Sequence, residues 1–275
     1  PNRKVVMLKT AQKLIAVAKI SARANLAYPG EVLGRGTFLL VVLYIFLKLW
    51  QATYSESGQS KLAGLSLAEM LWYLTITESM WMSAPKLAQQ VDEDVRTGSL
   101  AVKLIRPLSY PLYCLSANMG ERLVRFSFNL ALGACIALAL VGPIHLRAEA
   151  LLMLALSVCL AFLLDGLGHL IVGLSAFWLE DTSGLYLIYT RLTMILGGML
   201  IPLDLFPGWL KNLVVYLPFP YLVWGPVHLL STPQTELAAS FLELAIRQLA
   251  CLVALSALVA LLWQRALRRV SAHGG

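Results

Sequence analysis

Six stretches of this chain, at about 33–51, 65–84, 123–142, 150–178, 185–202 and 244–263, are almost wholly apolar. A bilayer core about 30 Å thick takes roughly 20 such residues per helix. Inside lipid, backbone groups can pair only with one another, which leaves helices and closed barrels as the structures able to cross. The runs at 126–142, 150–164 and 249–263 are the strongest, while the second stretch carries Glu69 and Glu78. Composition agrees, with 59% hydrophobic and 13% charged residues against roughly a quarter charged in soluble domains. A soluble enzyme, a disordered chain and a secreted disulfide scaffold are excluded. The expected fold is an all-α membrane protein with six transmembrane helices.

The distribution of charge sets the direction of the chain. Residues 1–28 carry Arg3, Lys4, Lys9, Lys13, Lys19 and Arg23 without an apolar core of the kind a cleavable signal peptide has. Met7, Leu8, Ala11, Leu14, Ile15, Ala18 and Ala22 share one helical side, with Lys9, Lys13 and Arg23 opposite. Such an amphipathic helix lies in the headgroup plane with its cations towards anionic lipid. This apolar face argues against nucleic acid as the partner of a net charge of +7. With six spans and the N-terminus inside, fifteen Lys and Arg fall on the inner side and three (Lys61, Arg147, Lys211) in outer loops, as the positive-inside rule requires. Arg122 and Arg125 belong to that inner set. Trp50, Trp81, Trp178 and Trp263 sit near span ends as an aromatic belt. The expected organisation is a cytoplasmic interfacial helix at 1–28, a six-span domain at 29–264 and a basic cytoplasmic tail at 265–275.

Between the fifth and sixth spans the apolar pattern is broken. Six of the twelve prolines lie from Pro202 to Pro233. Proline removes a backbone donor and breaks a helix, so the segment at about 203–230 is expected to be short re-entrant helices dipping into the outer leaflet. Cys114, Cys135, Cys159 and Cys251 form no CxxC and read as reduced, buried small hydrophobes. His145, His169, His228 and His273 are scattered, and metal ligation by them is not expected. No GxxxxGK[ST], HExxH or GxSxG occurs, so nucleotide hydrolysis by a P-loop on this chain is excluded. Gly30–Gly34 matches GxxxG at the start of the first span, a weak signal of close helix contact.

The remaining chemistry lies in intramembrane ionisable groups: Glu69, Glu78, Asp165, His169 and Arg191. Charges there are costly and usually face a partner or a cavity. Asp165 and Arg191 could pair across neighbouring helices. The set reads either as a polar translocation path or as a structural ion pair. The segment 84–113 is long and charged. Asp92, Glu93, Asp94 and Arg96 fall on a short polar helix, followed by a Thr97-Gly98 break and the apolar run SLAVKLI. A solvated loop would not need that run, whereas a soluble docking partner would.

Three features together resemble the permease subunit of a type-2 ABC exporter. An interfacial helix precedes six spans. Arg96-Thr97-Gly98-Ser99-Leu100 through Leu104-Ile105-Arg106-Pro107-Leu108-Ser109 is similar to the family's signature after span two. Ile201-Pro202-Leu203-Asp204-Leu205-Phe206-Pro207-Gly208-Trp209-Leu210, then Tyr216-Leu217-Pro218-Phe219, is similar to its re-entrant outer segment. The resemblance covers nearly the whole chain. It implies a subunit without catalysis of its own and with no cofactor, ATP and Mg being held by separate cytoplasmic ABC ATPase subunits. It implies a coupling helix at about 86–97, with Gln89, Gln90, Asp92, Glu93, Asp94 and Arg96 as ATPase contacts and Arg106-Pro107 closing the motif. A second permease, related or identical, completes the pathway in a bacterial inner membrane. The acidic Asp92–Asp94 cluster departs from the family pattern and calls for Arg or Lys on the ATPase. The competing readings are an ATP-independent secondary transporter, which should show repeat symmetry and midplane broken helices, and an integral membrane assembly factor.

Overall fold

The computed structural model describes residues 3–26, 29–62, 64–144 and 147–273. Expectations resting on the side chains of Arg3, Lys4, Met7, Leu8, His145 and His273, or on Gly30, lie outside the described residues. Eleven α-helices are described: α1 (Arg3–Leu26), α2 (Pro29–Ser57), α3 (Leu67–Met82), α4 (Leu87–Arg96), α5 (Leu100–Leu104), α6 (Tyr110–Val141), α7 (Ala148–Leu174), α8 (Ser183–Leu196), α9 (Gly208–Val214), α10 (Trp224–His228) and α11 (Gln234–His273). No strand occurs among the described residues.

Each expected apolar stretch falls within one helix or runs just past its end. Four segments are long and apolar enough to cross a membrane: Thr37–Ser57, Tyr110–Val141, Ala148–Phe177 and Gln234–Arg269. The chain is a multi-pass membrane protein. The third and sixth stretches belong to helices longer than expected, since α6 starts thirteen residues before position 123 and α11 runs from 234 to 273.

Contacts sort the helix ends into two levels. At one level α4 packs on the C-terminal end of α7, and Arg269 near the end of α11 donates to the Phe177 carbonyl at 2.8 Å. At the other, Arg147 donates to the Thr232 carbonyl at 2.6 Å, Trp72 to the Gly142 carbonyl at 3.1 Å and Tyr54 to the Leu65 carbonyl at 2.7 Å. The α6–α7 turn, the start of α3, the end of α2 and the start of α11 therefore lie together, opposite α4.

Helix α3 forms the centre, with every residue from Met70 to Met80 buried. It packs on α2 and α6, and its leucines join Leu39, Leu43, Val158 and Phe162 in one cluster. Among lipid tails apolar burial drives no association, so packing and interhelical polar contacts hold the helices together. The Thr75 and Ser79 hydroxyls donate to carbonyls one turn back (2.8 and 2.6 Å), which satisfies them without a partner helix.

Helix α1 lies along the first half of α6. A Cβ on Gly120 would fall 2.0 Å from the Ala18 carbonyl oxygen, so this crossing requires glycine. Ser116 donates to the Leu14 carbonyl and Arg125 to the Asn25 side chain at 2.8 Å. Ala18 of the expected apolar face thus packs on α6, whereas Ala11 and Ile15 of that face, like Lys9, Lys13, Lys19 and Arg23, stay exposed. Of the expected GxxxG contact only Gly34 is among the described residues, and within this chain it has open space around it. The cysteine expectation is corrected in part. All four are free, but only Cys114 is buried, Cys251 is half-buried, and Cys135 and Cys159 are exposed. On a membrane helix the outward face is apolar as well, so hydrophobicity does not separate inside from outside.

The proline-rich segment is a chain of short turns: 3₁₀ helices at Leu203–Leu205 and Phe219–Tyr221 alternate with α9 and α10.

Candidate functional site

Helices α4 and α5 form an elbow. Gly98, at φ +73°, makes the turn between them in the left-handed region that favours glycine. The apolar side of α4 (Leu87, Ala88, Val91) is buried against α7, where a Cβ on Gly173 would fall 2.6 Å from Val91 Cβ. Asp94 points inward. Lys103 Nζ lies 2.6 Å from both its oxygens, and it accepts hydrogen bonds from Ser99 at 2.9 Å and Tyr110 at 2.6 Å. Burial alone would raise the Asp94 carboxyl; these donors outweigh it and hold the group below the usual carboxylate range. Asp92 is engaged as well, accepting from Thr182 at the start of α8 (2.9 Å) and pairing with Arg96 (2.9 Å).

The six expected docking residues therefore divide. Gln89, Gln90, Glu93 and Arg96 are exposed, whereas Asp92 and Asp94 staple the elbow to α8 and α6. From the apolar run SLAVKLI, Val102 on α5 and Ile105 just past its end are 67% and 82% exposed. Exposed Arg106 lies over the Tyr113 ring at 4.8 Å, and the Pro107 carbonyl accepts from Lys13 at 3.4 Å.

A second cluster lies within the bundle. Asp165 on α7 accepts from Arg122 Nη1 on α6 at 2.6 Å and from the Tyr189 hydroxyl on α8 at 2.8 Å. Asp165 and Arg122 are each 5% exposed. The guanidinium stacks over Phe162, 4.2 Å from the ring centroid. His169 Nδ1 sits 2.9 Å from the Asp165 carbonyl, a contact that needs the proton on Nδ1. The expected Asp165–Arg191 pair does not form. Arg191 lies exposed on another face of α8, with Met194 Sδ 3.8 Å away. By sequence Arg122 belongs to the inner charge set, just before the apolar run that begins at 123. Its position in α6, opposite Asp165, brings it into the core instead.

Glu69 also has a local task. Its carboxylate accepts from the Ser66 amide at 2.8 Å while the Ser66 hydroxyl accepts from the Glu69 amide at 3.3 Å, a capping box at the start of α3. Glu78 is buried, with no hydrogen-bond partner among the described residues.

Asp165 and His169 face a cavity of about 340 Å³ near the α4 end, walled by Phe38, Trp81, Tyr186 and Tyr189, with Lys86 at its rim. At the other end, Asp204 pairs with Lys211 at 2.9 Å and accepts from Trp224 Nε1 at 3.1 Å, while Tyr73 and Thr77 of α3 donate to the Gly198 and Met199 carbonyls. These bonds tie the broken segment to the central helix.

Residues 38–274 match a family model described as ABC-2 family transporter protein. No curated protein matches the chain.

Proposed function

Because the chain belongs to the ABC-2 transporter family and is a membrane permease of an ABC transporter, we propose that it couples ATP hydrolysis on a separate cytoplasmic ATPase to export through a pathway shared with a second permease. The observation that carries this reading is the elbow. Its outer edge offers Gln89, Gln90, Glu93, Arg96, Val102 and Ile105, while its inner edge is fastened to α6, α7 and α8. A push on the exposed edge reaches three helices as a rigid-body displacement, which is how packed elements carry work between sites.

In this reading the α4 level is cytoplasmic. Lys86, Arg96, Lys103 and Arg106 gather there with the cations of α1 and the end of α11, as the positive-inside rule asks. Helices α3 and α8 then cross as the second and fifth spans. They are about 24 and 21 Å long, and the turns at 83–86 and 197–202 span the remaining depth. The segment 203–230 is re-entrant from the outer side, and Tyr73 and Thr77 hold the turn that leads into it. Both termini are cytoplasmic, α1 lies at the inner headgroups, and the membrane is the bacterial cell membrane. ATP and Mg belong to the partner ATPase, which supplies cations opposite Glu93.

Co-expression with the neighbouring ABC ATPase tests the proposal. Glu93→Lys combined with Ile105→Asp should abolish ATPase co-purification and ATP-dependent substrate movement without lowering membrane yield. Unchanged co-purification and transport would remove the elbow from this role.

A further inference from the structure

The described lining of the cavity beside Asp165 contains one acid, and that acid is engaged: Arg122 and Tyr189 each hold one of its two oxygens. The Thr190 and Thr193 hydroxyls donate to carbonyls of α8 at 2.9 and 3.0 Å. The Lys86 ammonium and the Tyr186 hydroxyl have no hydrogen-bond or ion-pair partner among the described residues. His169 uses Nδ1 on the Asp165 carbonyl, which leaves Nε2 uncommitted. Among the described lining residues the one uncommitted charge is therefore positive, and the walls are aromatic: Phe38, Trp81, Tyr186 and Tyr189. A carboxylate locked in an internal pair recruits no cation, whereas a free ammonium lining the same cavity as a hydroxyl donor recruits an anion.

We infer that this cavity binds amphiphiles with an anionic head, Lys86 and Tyr186 taking the head and the aromatic walls the apolar body. The inference rests on the permease reading above and names the substrate class of its inner site. Lys86 is also the residue preceding α4, so a head bound there sits at the foot of the coupling elbow. The rim charge selects the head and the ring faces accept any apolar chain, which gives specificity for sign of charge and tolerance for the body.

The test uses the full chain purified in dodecyl maltoside, with dodecyl phosphate and dodecyltrimethylammonium as probes and thermal unfolding as readout. Dodecyl phosphate should raise the melting temperature saturably and the cation should not. Lys86→Gln should weaken the phosphate response at least about tenfold, the value of one charge-assisted hydrogen bond, and Lys86→Arg should keep it. Tyr186→Phe, which removes only a hydroxyl, should weaken it less and serves if Lys86→Gln fails to fold. In phosphatidylcholine nanodiscs, displacement of bound dodecyl phosphate by added phosphatidic acid assigns the head to a membrane lipid, and its persistence assigns it to a soluble amphiphile. Equal responses to anion and cation, or a phosphate response untouched by both Lys86→Gln and Tyr186→Phe, would overturn the inference. No ATPase enters these measurements, so this inference and the coupling reading can fail separately.

Discussion

Removing one member of the Arg122–Asp165 pair should cost far more than removing both. Each residue is 5% exposed, so whichever charge remains is left in a medium that cannot solvate it. Breaking a buried pair from one side typically costs about 3–5 kcal/mol, while replacing both by apolar groups is often close to neutral. The two sides differ here. Asp165→Leu leaves Arg122 with no acid, and its Nε already lacks an acceptor, which places the loss near 5 kcal/mol, the top of that range. Arg122→Met leaves Asp165 with the Tyr189 hydroxyl at 2.8 Å and His169 Nδ1 3.5 Å away, and belongs near about 3 kcal/mol. The double variant should fall within about 2 kcal/mol of wild type, a coupling well above the few tenths expected of independent sites. Unfolding by SDS titration in mixed micelles reads all four corners of the cycle. Additive losses, or an Arg122→Met loss exceeding that of Asp165→Leu, would refute the reasoning.

Three further outcomes follow from the geometry. Gly120→Ala should push α1 off α6 at a cost of about 1–3 kcal/mol, seen as faster proteolysis within 3–26, and an unchanged cleavage rate would contradict the crossing. Because Asp94 is held below its unfolded value, its contribution is complete above the ordinary carboxyl value near 4 and is lost as pH falls through the folded one. Hydrogen exchange at 94–104 should therefore rise only in acid, and Asp94→Asn should abolish that acid step. Tyr73→Phe with Thr77→Val should loosen 198–228 by about 1–2 kcal/mol, measured as faster amide exchange there, with α6 unaffected.

Apolar runs about twenty residues long determined membrane helices, because unpaired backbone is intolerable in lipid. The same reasoning located the break at Pro202–Pro233, where the missing donors prevent a continuous helix, and the elbow at Thr97-Gly98. The capping task of Glu69 is legible too, since Ser66 stands three residues before it, although its place inside an apolar stretch suggests an intramembrane charge. The partner of Asp165 was not legible. Periodicity fixes which side of a helix a residue occupies, not which other helix that side meets. Arg122 lies just before an apolar run, as a headgroup cation would, and only the course of α6 past α7 brings it to 2.6 Å from Asp165. Asp94 has the same explanation. Three consecutive acids look alike in sequence, yet the packing of α4 on α7 turns Asp94 towards Lys103 and Tyr110 and leaves Glu93 outside. The sequence by itself settled that long apolar helices must lie in the membrane and where the chain must bend. Tertiary packing chose which charges meet, because that choice depends on helix crossings contributed by residues far apart in the chain.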